Sequence, residues 1–566
     1  MHNRFPVLAL AAAFAAAGVQ AQDAAPIKHI MLISIDGMHA VDFKNCSQGV
    51  AGVNDGKPYC PNLAALSRRG VTYVNASTSK PSDSFPGLMS IVSGASPRTM
   101  GVYYDVAYDR SLDGPAVTTG NGNAAAPCDA TKPPTGYTTE YEEGIDLDQT
   151  QLNGGTPGAK LIDGTAAALD YTKMDRDPAR GCAPVSPTDF VRTNSIFGLV
   201  HKAGGYVAWS DKHPAYVSVA GHGGLLDDFY APEINSNVVP LPGVKTPDGI
   251  DCSAVPDGAA DLTSWTNSFV NVKCYDTLKV NAVVNWINGK SHLGDKSTRT
   301  PNLFGMNFQS VSVAQKLIEN GVKGGYLDAE ATPSDAVFSA VGYVDDSIGE
   351  MVKNLESRNL LDSTLIIITA KHGQSPIDPN AFIEKKHGAI QITTTPATLI
   401  SDQMNAAMPP SEDPNGPGIG STEDDVSLIW LTKPSYTDAA VKLLEANRTA
   451  WGGGAIFYGR SVALSYNDPT RDPRTPDIIV TPTPGVVYTG SSGKQEEHGG
   501  FAHDDTNVML LVANPALKQR TVYSEVQTMQ VAPTVMSVLG LDPNKLDGVR
   551  LEGTAGLPDL TWNGNE

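Results

Sequence analysis

The sequence predicts an α/β fold in which a mostly parallel sheet is flanked by helices on both faces. Three observations predict it. Short runs rich in Ile, Leu and Val recur along the chain, as expected of strands buried on both sides. Helical periodicities lie between those runs, the alternation expected of βαβ units. Polar residues able to do chemistry follow the runs rather than interrupt them. An open α/β sheet presents its ligand site in this way, beyond the carboxyl ends of its strands.

The elements follow in chain order. His2 and Arg4 precede an Ala-rich apolar stretch, Val7 to Val19, and Val19-Gln20-Ala21 offers small residues for cleavage. Residues 1–21 therefore read as a signal peptide, with the exported chain, periplasmic or secreted, starting at Gln22. Strand-like runs are His29–Ile35, Val71–Val74, Tyr206–Trp209, Leu365–Thr369, Val426–Leu431, Asp477–Val480 and Val508–Val512. The clearest helix starts after Ser334, a good N-cap. It carries Val337, Val341, Val344, Ile348, Met351 and Leu355 on one face, with Asp345, Asp346 and Glu350 assigned to a solvated face. A closing helix is expected at Val531–Leu539. Residues 106–195 and 211–300 are rich in Gly, Pro, Asn and Asp. They read as long insertions into one catalytic domain spanning 22–566. No later stretch is long and apolar enough for a membrane span.

The six cysteines include no CxxC pair, which argues against thiolate metal binding and for disulfides in an oxidising compartment. Pairing of sequence neighbours is preferred: Cys46–Cys60, Cys128–Cys182 and Cys252–Cys274. The formal charge of −20 argues against bulk nucleic-acid binding. A small phosphate ester held by local positive charge remains compatible with it.

The candidate site residues are those just past the apolar runs. Asp36 follows the first run. Ser84 lies in Pro81-Ser82-Asp83-Ser84-Phe85-Pro86-Gly87, beyond the second. Lys371-His372-Gly373-Gln374 follows Leu365–Thr369, Asp328 follows a short run at Gly324–Leu327, and His498 lies before the last run. Asp, His and a hydroxyl suit a divalent ion, zinc above all, and an ion beside Ser84 would favour its alkoxide. Each residue also has a plainer reading. Asp36 could cap a turn, Ser84 could cap a helix, and either His could be structural. Asp504-Asp505 and Asp211-Lys212-His213 are candidates for the site's surroundings. His222, Asp227 and Asp228 read as turn and surface residues.

These motifs together resemble the type I phosphodiesterase/nucleotide pyrophosphatase group of the alkaline phosphatase superfamily. The carriers are Leu32-Ile33-Ser34-Ile35-Asp36-Gly37, Pro81–Gly87, Val344-Asp345 with Ile348-Gly349, Lys371-His372-Gly373 and Glu497-His498-Gly499-Gly500. Gln530-Val531-Ala532-Pro533-Thr534 with Leu539-Gly540-Leu541 adds to them. The resemblance implies an alkaline-phosphatase-like core and hydrolysis of phosphodiesters or nucleotide pyrophosphates through a phospho-serine on Ser84. It also implies one ion at Asp36, Ser84 and His372 and another at Asp328 and His498. Alternatives on the same core are a phosphomonoesterase or sulfatase-like hydrolase, and a catalytically silent binding protein.

Three departures stand out. The family's usual Asp is Lys371, no His follows Asp328 closely, and the Asn after Phe-Pro is Gly87. Exchanging a carboxylate for an ammonium shifts the local charge by two units and opposes a dication. The expectation is therefore one ion, or an altered pair using Glu330. Lys371 would either pair with phosphate oxygens as a catalytic residue or turn away to a surface salt bridge.

Overall fold

The computed structural model describes residues 26–119, 124–141, 168–235, 241–253, 265–384, 392–404, 420–431, 433–488 and 494–562. The expected signal segment lies outside them. The central sheet has eight strands. In chain order they are β1 (His29–Ile35), β2 (Gly70–Tyr73), β3 (Val207–Ser210), β4 (Asp228–Tyr230), β5 (Leu303–Phe308) and β6 (Thr364–Thr369), then β11 (Leu511–Ala513) and β12 (Arg520–Val522). Their spatial order is β12-β2-β11-β6-β1-β5-β3-β4. Only β11 runs antiparallel to its neighbours, β6 and β2. The other adjacent pairs are parallel.

Alternation along β1 shows why its run is continuously apolar. Met31, Ile33 and Ile35 enter one core, and Ile30 and Leu32 enter the other. The first core is closed by α1 (Ala40–Gln48), α2 (Pro61–Ser67), α5 (Asn271–Ile287), α6 (Ser310–Lys316) and α7 (Asp335–Ser357). The second is closed by α3 (Ser84–Ser93), α4 (Ile196–Lys202) and α10 (Val531–Val538). A strand with both faces covered needs apolar residues at every position. The apolar stripe of α7, Val337 to Leu355, lies in the first core, and Ser334 caps the helix by accepting from Val337 N.

The structure corrects several expectations. Val426–Leu431 and Asp477–Val480 do not join the central sheet. They contribute to an antiparallel sheet of β7 (Gly420–Glu423), β8 (Ser427–Trp430), β9 (Gly453–Tyr458) and β10 (Ile478–Pro482). Two further helices, α8 (Pro396–Gln403) and α9 (Thr437–Ala446), cover one of its faces. Tyr103, Tyr104 and Tyr108 cover the other. The central sheet instead takes β5, whose run is broken by Gly305 and Asn307. The 211–300 region is not wholly an insertion, because it supplies β4 and the core helix α5. Asp345 is buried rather than solvated. Its Oδ1 accepts from Leu63 N at 2.7 Å and its Oδ2 from Asn62 N at 3.1 Å, satisfying amides at the start of α2 that the helix itself leaves open.

The three disulfides pair Cys46 with Cys60, Cys128 with Cys182 and Cys252 with Cys274. Among the described residues no helix is long and apolar enough to cross a membrane.

Arginine–carboxylate pairs stitch the second sheet to the 106–195 region: Arg110–Asp477, Arg474–Asp109 and Arg192–Asp472. The last is bidentate, with N–O distances of 2.7 and 2.8 Å. Burial alone would raise the Asp472 carboxyl, but the Arg192 guanidinium brings it to about 2. A carboxyl depressed in the folded state stabilises the fold above its unfolded value, and the effect is lost as pH falls through the folded value. The melting-temperature advantage of wild type over Asp472→Asn is therefore expected to be constant above about pH 5 and to shrink between about pH 4 and pH 2. An advantage that persists unchanged at pH 2 contradicts the pairing.

Candidate active site

The parallel strands deliver their following residues to one edge of the sheet. Asp36 leaves β1 there, its amide donating to Phe308 O at 3.0 Å. Its Oδ2 accepts from Gln309 Nε2 at 2.6 Å and Asn307 Nδ2 at 3.1 Å, both at the end of β5. Ser84 is the first residue of α3, and its Oγ lies 3.4 Å from the same oxygen. The cap of α3 is Asp83, one residue earlier, whose Oδ2 accepts from Phe85 N and Asp105 N, each at 3.0 Å. Ser84 is thus left to point at Asp36. His372 Nε2 stands 3.6 Å from Asp36 Oδ2, while its Nδ1 is 3.0 Å from Gly373 O. A carbonyl only accepts, so Nδ1 carries the proton and the Nε2 lone pair faces the site. Burial lowers the His372 imidazole and favours this neutral form.

Lys371 is buried and faces inward. Its Nζ lies 2.8 Å from Asp211 Oδ1, 4.0 Å from Asp36 Oδ2 and 4.0 Å above the Tyr216 ring. Asp211 follows β3, and Trp209 Nε1 donates to its other oxygen at 2.9 Å. The next residue, Lys212, donates from Nζ to Ser84 Oγ at 3.0 Å. Burial would raise the Asp36 carboxyl, but the positive charge of Lys371 above all, with that of Lys212, holds it well below the usual carboxylate range. Asp211, Lys212, Asn307 and Gln309 are the site residues that the sequence reading underweighted or missed. The signal for Asp211 and Lys212 was their position directly after an apolar run. Asn307 and Gln309 had none, because β5 did not read as a strand.

His498 enters from the opposite chain direction. It precedes β11, and because β11 is antiparallel, a residue before it reaches the same edge. Its ring centroid is 4.2 Å from that of His372, and its Nδ1 lies 3.5 Å from Asp83 Oδ1. Asp424, Glu497 and His498 have ligand atoms within 4.8 Å of one another. Tyr104 Oη donates to Asp424 at 2.8 Å, and burial with the charge of Glu497 raises that carboxyl to about 6. Lys316, at 2.8 Å, and Lys494 both pair with Glu497 and outweigh its burial, lowering its carboxyl. Nearby, Asp505 Oδ1 and Oδ2 accept from Gly500 N and Ala502 N, each at 3.2 Å, and burial raises it to about 7. Asp504 accepts from Ile377 N. Away from this group, Asp227 holds His201 and Val207 N, and Asp228 holds Trp286 and His292.

Asp328 is not brought to His498. Gly324–Leu327 forms no strand of the sheet; Gly325 packs against Glu496, and Asp328 does not join the Asp424, Glu497 and His498 group. Its Oδ1 instead accepts from Glu330 N and Thr332 N, closing a turn. Glu330 is exposed, and its carbonyl docks on Asn45 of α1. The carboxylate that a sheet strand does deliver is Asp211.

The two expected ion positions differ in their fit. At Asp36, Ser84 and His372, the ammoniums of Lys212 and Lys371 already balance the carboxylates of Asp36 and Asp211. Asp36 Oδ1 has no hydrogen-bond partner among the described residues, but a dication about 4 Å from one ammonium is opposed by about 8 kcal/mol at an effective dielectric near 20, which one open carboxylate oxygen does not offset, so this position does not fit an ion. The group of Asp424, Glu497 and His498 fits one better, because the ammoniums of Lys316 and Lys494 that pair with Glu497 belong to side chains that reach solvent and are screened by it, whereas the Lys371 side chain is fully buried. It combines an imidazole with two carboxylates, and among the described residues buried His498 Nδ1 makes no hydrogen bond, with Asp83 Oδ1 3.5 Å away.

Comparison with known proteins adds the following. The profile of the family described as type I phosphodiesterase/nucleotide pyrophosphatase matches residues 30–505. Among solved structures, murine ectonucleotide pyrophosphatase/phosphodiesterase 5 is 12% identical with a TM-score of 0.51, covering 91% of this chain and 96% of that one. An inactive variant of the murine protein in complex with AMP is 11% identical over the same shares, also at 0.51. The human counterpart is 12% identical at 0.50, with 91% and 95% covered. A search of curated proteins returned no match.

The Gly87 departure has a direct structural reason. A Cβ at Gly87 would lie 2.1 Å from Lys371 O and 2.8 Å from its carbonyl carbon, both backbone atoms. The first turn of α3 rests directly on the segment that carries Lys371 and His372. Thr78 Oγ1 fixes the same carbonyl at 2.5 Å. An Asn at position 87 is incompatible with this approach. Gly87→Ala is expected to destabilise the protein by at least about 1–3 kcal/mol in denaturant unfolding, and Gly87→Asn by more. Wild-type stability in the Asn variant contradicts the close approach.

Proposed function

The chain belongs to the type I phosphodiesterase/nucleotide pyrophosphatase family, and from that premise we propose that it is an exported hydrolase of phosphodiester or nucleotide pyrophosphate bonds. One observation carries the reading. Ser84 Oγ stands at the N-terminus of α3, within hydrogen-bonding reach of Asp36 and Lys212, and Asp36 in turn faces His372, whose ring lies against that of His498. A hydroxyl at a helix N-terminus among cationic groups suits attack on a phosphate, whose negative charge is favoured there.

In this reading Ser84 attacks phosphorus and becomes a phospho-serine, which water then hydrolyses. His372 and His498 are held neutral by burial, so they line the site without adding charge. Asp424, Glu497 and His498 would hold a single divalent ion, and zinc is the metal that an imidazole with carboxylates favours. When bound, the ion polarises phosphoryl oxygens as a Lewis acid. The substrate is a small phosphate ester rather than a nucleic-acid polymer, in keeping with the charge of −20.

Turnover of bis-p-nitrophenyl phosphate and p-nitrophenyl phosphate by wild type and Ser84→Ala tests this. Wild type is expected to prefer the diester, and Ser84→Ala to lower kcat/KM by at least about 1,000-fold with an unchanged circular dichroism spectrum. Preference for the monoester, or full activity in Ser84→Ala, refutes the proposal.

A further inference from the structure

We propose that Lys212 is a catalytic residue which, with Lys371, replaces a metal ion as the activator of Ser84. The inference rests on the reading of Ser84 as the nucleophile. Lys212 is firmly held. Its amide donates to Asp211 Oδ1 at 2.9 Å, and its carbonyl accepts from Ile234 N at 3.0 Å and Tyr275 Oη at 3.3 Å. With the backbone fixed, the side chain of Asp211 goes to Lys371 and that of Lys212 goes to Ser84 Oγ. The ammonium therefore donates to the oxygen that must become nucleophilic, and the hydroxyl proton points to Asp36 Oδ2, 3.4 Å away.

The charges explain why two lysines are needed. Asp36 and Asp211 are fully buried. Lys371 lies against both, while the Lys212 ammonium donates to Ser84 Oγ and adds to the positive charge at Asp36. A positive charge in a buried site stabilises an alkoxide more than the same charge in water does. The Ser84–Lys212 pair releases one proton to water, and the electron pair left on Oγ forms the O–P bond. The P–O bond to the leaving group breaks, and the leaving oxygen keeps that electron pair and takes a proton from water.

The test is the rate at which a fluorophosphonate labels Ser84, read by peptide mass spectrometry. It compares zinc-loaded wild type, wild type stripped by chelator dialysis, Lys212→Met and Lys212→Arg. Circular dichroism is recorded for each protein. Stripped wild type is expected to label within about 3-fold of the loaded protein, since the activating charge is covalently part of the chain. Lys212→Met is expected to label at least about 100-fold more slowly, and Lys212→Arg, which keeps the charge, to recover part of the rate. Labelling that requires zinc overturns the inference while leaving Ser84 as the nucleophile. A folded Lys212→Met that labels at the wild-type rate also overturns it. No labelling of Ser84 in any form overturns both this inference and the reading it rests on.

Discussion

Asp36 is a buried carboxylate, and the site is organised around keeping it charged. An ionised carboxylate taken from solvent costs several kcal/mol unless partners replace its hydration. Here the replacements come from separate elements: amides of Asn307 and Gln309, the hydroxyl of Ser84, and the positive charge of Lys371. Support for these partners extends further. Lys279 on α5 pairs with Asp276 at 2.9 Å and donates to Asn307 O at 2.6 Å. Asp276 accepts from the amides of Gln309 and Ser310. A helix in the first core thus fixes the residues that fix Asp36, and removing one member would leave its partners buried and unpaired.

In the related fold a metal ion would ordinarily supply such positive charge, as the family resemblance implies. This chain supplies it from side chains. The change is not confined to one position. Lys371 needs Asp211 as its counter-charge, Lys212 follows Asp211 onto Ser84, and the backbone of Lys371 lies so near α3 that position 87 has room for no side chain. Positive charge at Glu497, from Lys316 and Lys494, repeats the theme beside the second position. There the additional carboxylate of Asp424 and the imidazole of His498 leave donors for one ion.

Much of this was legible in the sequence. Asp36 and His372 closely follow buried apolar strands, and Ser84 and His498 are joined to theirs by loops; the structure brings the four to one sheet edge because the strand's direction decides which edge its flanking residues reach. The same rule failed for Asp328, since Gly324–Leu327 is apolar enough to suggest a strand but forms none. It undervalued Asp211 because the following residues looked like an insertion. Apolar runs also do not announce which sheet they join, so Val426–Leu431 was assigned to the central sheet when it lies in the smaller one. Asp345 looked solvated because the amides it caps lie 282 and 283 residues away in sequence. Such a partner is invisible to helical periodicity.

The number of divalent ions bound per chain tests the central claim most directly. After equilibrium dialysis against zinc, elemental analysis should find one ion per wild-type chain and a second in Lys371→Asp, where a carboxylate replaces the ammonium. Two ions in the wild type would show that Lys212 and Lys371 do not exclude a dication from Ser84, and would contradict the account.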